Sequence, residues 1–227
     1  MKIQSFIKRL NATELGLGAT HDAYIAIPSG VNLSVMLENQ KVLHPVDKAS
    51  GFSYKPSGSD FKYVQTGQNN QERISGLGEF YVSRDAKVGD EILVEKVQRK
   101  SGTVEYYIDL IHRNAIVFQV NSIKGRRCVD ILPNNLIEDY ATGKDYSFRV
   151  NYNGEEHDLL VEFIEEAKKK KTSPQSTKFY DLLIDGKSIM LEYNYQEYIE
   201  ILTNDMRLER MKTYWYSMLE MEEDNNG

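Results

Sequence analysis

Short apolar runs separated by polar turns dominate the first half of the chain. Tyr24-Ile25-Ala26-Ile27 is β-rich and stops at Pro28-Ser29-Gly30, the pattern of a strand entering a turn. Val31, Val35 and Met36, with Leu33 and Leu37 beside them, fall at helical spacing and end near Asn39, so a short helix is expected next. Lys48 to Asn70 is rich in Ser, Gly, Lys, Gln and Asn, with Pro56 inside it and brief apolar interruptions at Phe61 and Tyr63-Val64. That composition reads as exposed hairpins and loops. A core signal returns over Phe80 to Val97, where Val88-Gly89-Asp90 reads as a turn and Ile92-Leu93-Val94 as a strand. Val104 to Ile111 alternates as its partner across Ser101-Gly102.

The second half opens with further strand candidates: Ala115 to Val120, Arg127 to Leu132, Tyr146 to Tyr152, Leu159 to Ile164, Phe179 to Ile184 and Ser188 to Tyr193. Asn151-Tyr152-Asn153-Gly154 and Asp185-Gly186 are hairpin signals between apolar runs. Lys168 to Lys171, followed by Thr172-Ser173-Pro174, reads as a solvated connection, with contact to phosphate as its functional alternative. From Tyr195 the spacing changes. Tyr198-Ile199, Leu202, Met206, Met211, Trp215 and Met218-Leu219 recur near every third or fourth position, which predicts a C-terminal helix, with Thr203-Asn204-Asp205 capping a second segment of it. The expected fold is mainly β with flanking helices, an α+β chain built on a small barrel or sandwich.

Composition adds bounds. The 227 residues suit one large domain or two small ones. The single cysteine, Cys128, excludes an internal disulfide framework and a multi-cysteine zinc site, and its place in a predicted strand is that of a buried, inert thiol. No run approaches the roughly 18 apolar residues of a membrane helix, and Met1 to Leu10 carries Lys2, Lys8 and Arg9 without a signal-peptide core. A soluble chain in a reducing compartment is expected. The net charge of −6 argues, taken globally, against nucleic acid. Its distribution changes the picture: residues 1–113 hold 14 basic and 13 acidic side chains, and residues 114–227 hold 14 and 21. The acidity belongs to the second half.

Catalytic signatures are sparse. There is no phosphate-binding Gly-x-x-x-x-Gly-Lys-Ser/Thr, no Gly-x-Ser-x-Gly elbow and no His-Glu-x-x-His pair. His21, His44, His112 and His157 show no ligand spacing. The enzyme class with most to test is a Mg²⁺-dependent nuclease, which holds the metal between two carboxylates on neighbouring strands and uses a lysine to assist the attacking water. Asp181 and Glu192 lie on successive predicted strands. Asn194 stands where the lysine is needed, so Lys187 would have to arrive from the turn.

Phe6-Ile7-Lys8-Arg9-Leu10, then Asn11 to His21, then Tyr24-Ile25-Ala26-Ile27-Pro28-Ser29-Gly30 resembles the start of the N-terminal effector-binding domain of EcoRII-type restriction endonucleases. Asn70-Gln71-Glu72-Arg73-Ile74 is similar to that family's basic and polar arm. Phe80 to Val94, with its Lys87-Val88-Gly89-Asp90 turn, is similar to the related plant B-three transcription-factor domains. The resemblance covers residues 1–115; residues 116–227 match no family and are expected to form a smaller β-rich domain ending in the helix.

The resemblance implies a DNA-binding pseudobarrel of about seven strands that inserts two arms into the major groove like a wrench. Side chains of Arg, Lys, Asn, Gln, Ser and Thr are what direct readout of base edges requires. Carried over by position, the first arm is Lys8, Arg9, Asn11, Thr13, Thr20 and His21, with Gly16 and Gly18 allowing close approach of the backbone. The second is Gln68, Asn69, Asn70, Gln71, Glu72 and Arg73. Within it Arg73 would read guanine, Asn69, Asn70 and Gln71 adenine, and Glu72 a cytosine amino group. Lys55 and Lys62 would hold phosphates. The family's second arm often carries further basic residues where this chain has Gln68 and Gln71.

The implied function is sequence-specific binding of double-stranded DNA as the target-recognition part of a bacterial, cytoplasmic restriction–modification system. It needs no cofactor and no membrane. The second half would serve as a homodimer surface or as a dock for a nuclease subunit or domain. Two alternatives stay open: a compact restriction endonuclease cutting with Mg²⁺ at Asp181, Glu192 and Lys187, and a protein-interaction module with an acidic surface.

Overall fold

In the computed structural model, the described residues are 1–17, 22–27, 42–43, 45–51, 61–65, 72–132, 135–168, 176–212 and 214–220. The short helix expected after Gly30, and the tip of the lysine run, lie outside them. Strands dominate, as the apolar pattern predicts. The chain divides into two compact units, residues 1–112 with 213–227, and residues 113–212.

Unit 1 contains β1 (Lys2–Arg9), β2 (Tyr24–Ala26), β3 (Val42–Leu43), β4 (Val46–Asp47), β5 (Phe61–Gln65), β6 (Glu72–Ser75), a one-and-a-half-turn helix α1 (Gly78–Ser83), β7 (Glu91–Gln98) and β8 (Val104–Ile111). One sheet has the order β2-β6-β5-β3. The other contains β1, β7, β8 and β4, with β7 against β8 in the hairpin expected across Ser101-Gly102. Alternation places Phe6 of β1, Ile92 and Val94 of β7, and Tyr106, Ile108 and Leu110 of β8 in one core with Ile25 and Ile74 from the four-stranded sheet. Phe80 and Tyr81 of α1 complete that core, and burying such side chains is worth about 1.5–3 kcal/mol each. Arg84, just past α1, pairs with Asp47 of β4, whose carboxylate also accepts from Ser50 Oγ at 2.8 Å.

Unit 2 is a ring of seven strands: β9 (Ala115–Ile123), β10 (Arg126–Ile131), β12 (Asp145–Tyr152), β13 (Glu155–Ala167), β14 (Thr177–Ile184), β16 (Tyr198–Leu202) and β17 (Arg207–Arg210). The order β10-β9-β16-β17-β12-β13-β14 returns to its start through the Val129↔Tyr180 pair of β10 and β14. Two strand pairs sit outside the ring, β11 (Ala141–Thr142) on β12 and β15 (Lys187–Ser188) on β14. The interior is filled by Ile116, Phe118, Val150, Val161, Leu182, Ile199 and their neighbours, so the barrel is a packed core. Its tightest hairpins follow their sequence signals. Asn153 and Gly154 have φ of 54° and 89°, and Asp185 and Gly186 have 48° and 77°, the left-handed pair that a two-residue turn of this twist requires.

Two expectations are corrected. The C-terminal helix is absent from the described residues: the segment forms β16, β17 and β18 (Tyr214–Glu220). Its three-to-four spacing arises because turns interrupt short strands and reset the alternation. Thr203 to Met206 is a hairpin turn rather than a cap, with Met206 at φ 51° and Thr203 Oγ1 donating to Asn114 O at 2.8 Å. β18 also leaves the second half and pairs antiparallel with β1 from Lys2↔Glu220 to Lys8↔Tyr214, completing the sheet order β18-β1-β7-β8-β4. Of the strand expected over Ser188 to Tyr193 only Ser188 is in one, as the end of β15, and a 3₁₀ turn follows over Met190–Glu192. Ile189 and Met190 are buried in succession, which alternation cannot provide.

No described helix is long and apolar enough to cross a membrane. A side chain at position 186 would meet nothing within 4 Å, so its cost is conformational alone. Gly186→Ala is expected to lower stability by about 1–2 kcal/mol, read as a shift in the urea midpoint with an unchanged slope.

Candidate nucleic-acid interface

The first loop is anchored by one carboxylate. Asn11 Oδ1 accepts from Glu14 N at 3.0 Å while Glu14 Oε2 accepts from Asn11 N at 3.2 Å, a reciprocal cap at the start of a turn. Glu14 is 1% exposed, and its Oε1 receives Lys8 Nζ at 2.6 Å and Ala26 N at 2.8 Å. Tyr24 N donates to Glu14 O at 2.9 Å, and an isolated bridge joins Leu15 to Ala23. Leu15 and Ala23 therefore form the neck at which the chain leaves and re-enters the sheet, with Gly16 just beyond it in the left-handed region at φ 76°.

A second loop is closed by β5 and β6, whose ladder runs from Lys62↔Ser75 to Gln65↔Glu72. β6 also pairs with β2 through Tyr24↔Ser75, Ile25↔Ile74 and Ala26↔Arg73, and Ile27 N donates to Glu72 O at 2.9 Å. Because the pairing is antiparallel, the two necks stand at opposite ends of the β2–β6 pair. They are three to four residues of strand apart, on the order of 10–13 Å.

Between the necks the sheet has two faces. Ile25 and Ile74 turn into the core. By alternation Tyr24, Ala26, Arg73 and Ser75 share the other face, and the β5 positions opposite Ser75 and Arg73 are Lys62 and Val64. The Arg73 guanidinium lies over the Tyr24 ring, 4.2 Å from its centroid, a cation–π contact that fixes the plane of its donors.

The residues expected to touch DNA thus divide. Arg73, Glu72 and the Lys62 position belong to the sheet and the neck of the second loop. Thr13 is exposed in the turn that precedes the neck of the first loop, and Asn11 is spent on the cap of that turn. Lys8 and Arg9 are corrected to structural roles: they are 6% and 1% exposed, and their charges meet Glu14 and, at 3.3 Å, Glu91. A buried, ion-paired cation is not presented to a phosphate. Thr20, His21, Gly18, Lys55, Gln68, Asn69, Asn70 and Gln71 lie outside the described residues. Glu14 and Tyr24 were not anticipated, although Asn11-x-x-Glu14 is a legible capping signal.

The alternative nuclease residues Asp181 and Glu192 have separate partners. Asp181 on β14 is buried, pairs with Arg126 and accepts from Ser188 Oγ at 2.6 Å. Glu192 sits on the exposed 3₁₀ turn and accepts from the Tyr152 hydroxyl, and Lys187 lies in β15. Among the described residues no three His, Cys, Asp or Glu side chains form a metal-holding group. Cys128 is buried on β10, and burial first, then the charge of Asp130, pushes its thiol up to about 11.

No protein-family model, curated protein or solved structure matches the chain.

Removing the carboxylate of Glu14 strands the Lys8 ammonium in the interior. Glu14→Ala is expected to cost about 3–5 kcal/mol, visible in chemical denaturation. The thiolate fraction of Cys128 is negligible at pH 8, so iodoacetamide is expected to leave the native protein unmodified and to label it once in urea.

Proposed function

We propose that unit 1 is a sequence-specific reader of double-stranded DNA, gripping the major groove between the loops 16–22 and 66–71. The observation that carries this reading is the pair of polar loops closed at opposite ends of the β2–β6 pair, with Arg73 stacked on Tyr24 on the face between them. Their necks stand on the order of 10–13 Å apart, and the groove is about 12 Å wide. The resemblance to the EcoRII-type effector domain and to B-three domains supports the same assignment of arms. Arg73 is the residue for guanine, because a guanidinium held in a fixed plane presents two parallel donors to O6 and N7.

The same reading makes the chain the recognition part of a restriction–modification system in the bacterial cytoplasm. Unit 2 would then serve to dock a nuclease subunit or a second copy of the chain.

Selection of bound duplexes from a randomised pool is expected to enrich one short motif. Arg73→Ala should then weaken the enriched duplex by about 1–3 kcal/mol and leave random duplex unchanged, whereas Lys62→Ala should weaken both alike. A pool with no enrichment, or equal loss on both duplexes for Arg73→Ala, sinks the reading.

A further inference from the structure

In unit 2 the hairpin of β12 and β13 turns on two residues, Asn153 and Gly154, beyond the last strand pair Tyr152↔Glu155. Both are exposed. An asparagine followed by glycine is reactive without any enzyme, because the amide nitrogen after it can attack the asparagine side-chain carbon and glycine has no Cβ to hinder that attack. In the reaction Gly154 N loses its proton and bonds to Asn153 Cγ. The Cγ–Nδ2 bond breaks and ammonia leaves with that proton. Water then opens the cyclic imide at either carbonyl, giving aspartate at position 153 or isoaspartate, in which the backbone runs through the side-chain carbon. No oxidant, reductant or metal takes part.

The fold controls this step at its nucleophile. Gly154 N donates to Asn151 Oδ1 at 3.1 Å, so the proton that must leave is held by a side chain of the same hairpin. Removing it first costs that hydrogen bond. Asn151 is itself fixed: its N donates to Met206 O at 2.9 Å, in the pair Asn151↔Arg207 that joins β12 to β17, and it pairs with Glu156 of β13. The acceptor is therefore carried by backbone that is tied to a strand on each side. Asn153 and Gly154 are held in the left-handed region, at φ of 54° and 89°, so the reacting groups belong to an ordered turn and not to a free peptide.

We infer that Asn153 is a site of spontaneous deamidation and that Asn151 sets its rate by holding the Gly154 N–H. The product matters to the barrel. Either form puts a new carboxylate beside Glu155 and Glu156, where the chain already exposes two like charges. Isoaspartate also lengthens, by one backbone carbon, a turn whose length fixes the β12–β13 register.

Incubation of the full chain in mildly alkaline buffer, with peptide mapping by mass spectrometry at intervals, reads the conversion as a mass gain in the peptide that carries Asn153. The native protein is expected to react at least about 5-fold more slowly than the chain unfolded in guanidinium chloride, the rate equivalent of one hydrogen bond of ordinary strength. Asn151→Ala should raise the native rate by about 5-fold and leave the unfolded rate as it was. Asn151→Asp keeps an acceptor and should not raise it. Thermal unfolding confirms that both variants are folded. Exchange of the Gly154 amide hydrogen in the unsubstituted protein, expected to be protected, gives a measure independent of any variant. The inference is overturned if that peptide gains no mass in the unfolded chain, if native and unfolded chains react alike, if Asn151→Ala leaves the native rate unchanged, if Asn151→Asp raises it as Asn151→Ala does, or if the native Gly154 amide exchanges as fast as the unfolded one.

Discussion

The buried carboxylate of Glu14 is the constraint on which the proposed reading end of unit 1 depends. One side chain ties the end of β1 through Lys8, the mouth of the first loop through Asn11 and the edge of β2 through Ala26. Each of those partners would otherwise be a polar group taken out of water without compensation. The carboxylate therefore sets where the first loop leaves the sheet, and with it the spacing between the two loops. Stability and placement rest on the same atoms. A change that preserved the loop's own sequence but loosened this anchor would misplace every group the loop presents.

Much of the β architecture was legible because local chemistry fixes it. Val104 to Ile111 alternates against Glu91 to Gln98, and the Asn153-Gly154 and Asp185-Gly186 turns admit little besides a hairpin. What was not legible depends on pairing across distance. The residues from Tyr198 onward carry apolar positions every three or four, and nothing local distinguishes a helix from short strands broken by turns. The partner of Tyr214–Glu220 is β1, some 200 residues earlier in the chain, and no local pattern announces it. The candidate interface was half legible. The polar loops and Arg73 stand out in the sequence, but whether Lys8 and Arg9 face water is decided by Glu14 and Glu91, which only the fold brings to them.

Charge was the clue whose meaning moved most. Residues 1–112 balance 13 basic against 13 acidic side chains and residues 213–227 add four acidic ones, so unit 1 carries a net charge of −4, and many of its cations are used internally: Lys8 with Glu14, Arg9 with Glu91, Lys48 with Glu95, Arg84 with Asp47 and Arg99 with Glu105. Little positive charge is left for sequence-independent attraction to phosphates. On the proposed reading, such a unit would gain little from counterion release, and its affinity would have to be concentrated in base contacts.

The return of β18 to β1 has a bearing on how the chain is made. Residues 113–212 are contiguous, and their barrel can close as soon as they leave the ribosome. Unit 1 is interrupted: β1 emerges some 200 residues ahead of Tyr214–Glu220 and must wait for that segment before both of its edges are paired. During that interval β1 offers an open strand edge, the kind of surface that invites pairing with another chain. The order of synthesis therefore makes the barrel the early product and the proposed DNA-reading unit the late one, complete only once β18 has followed the barrel.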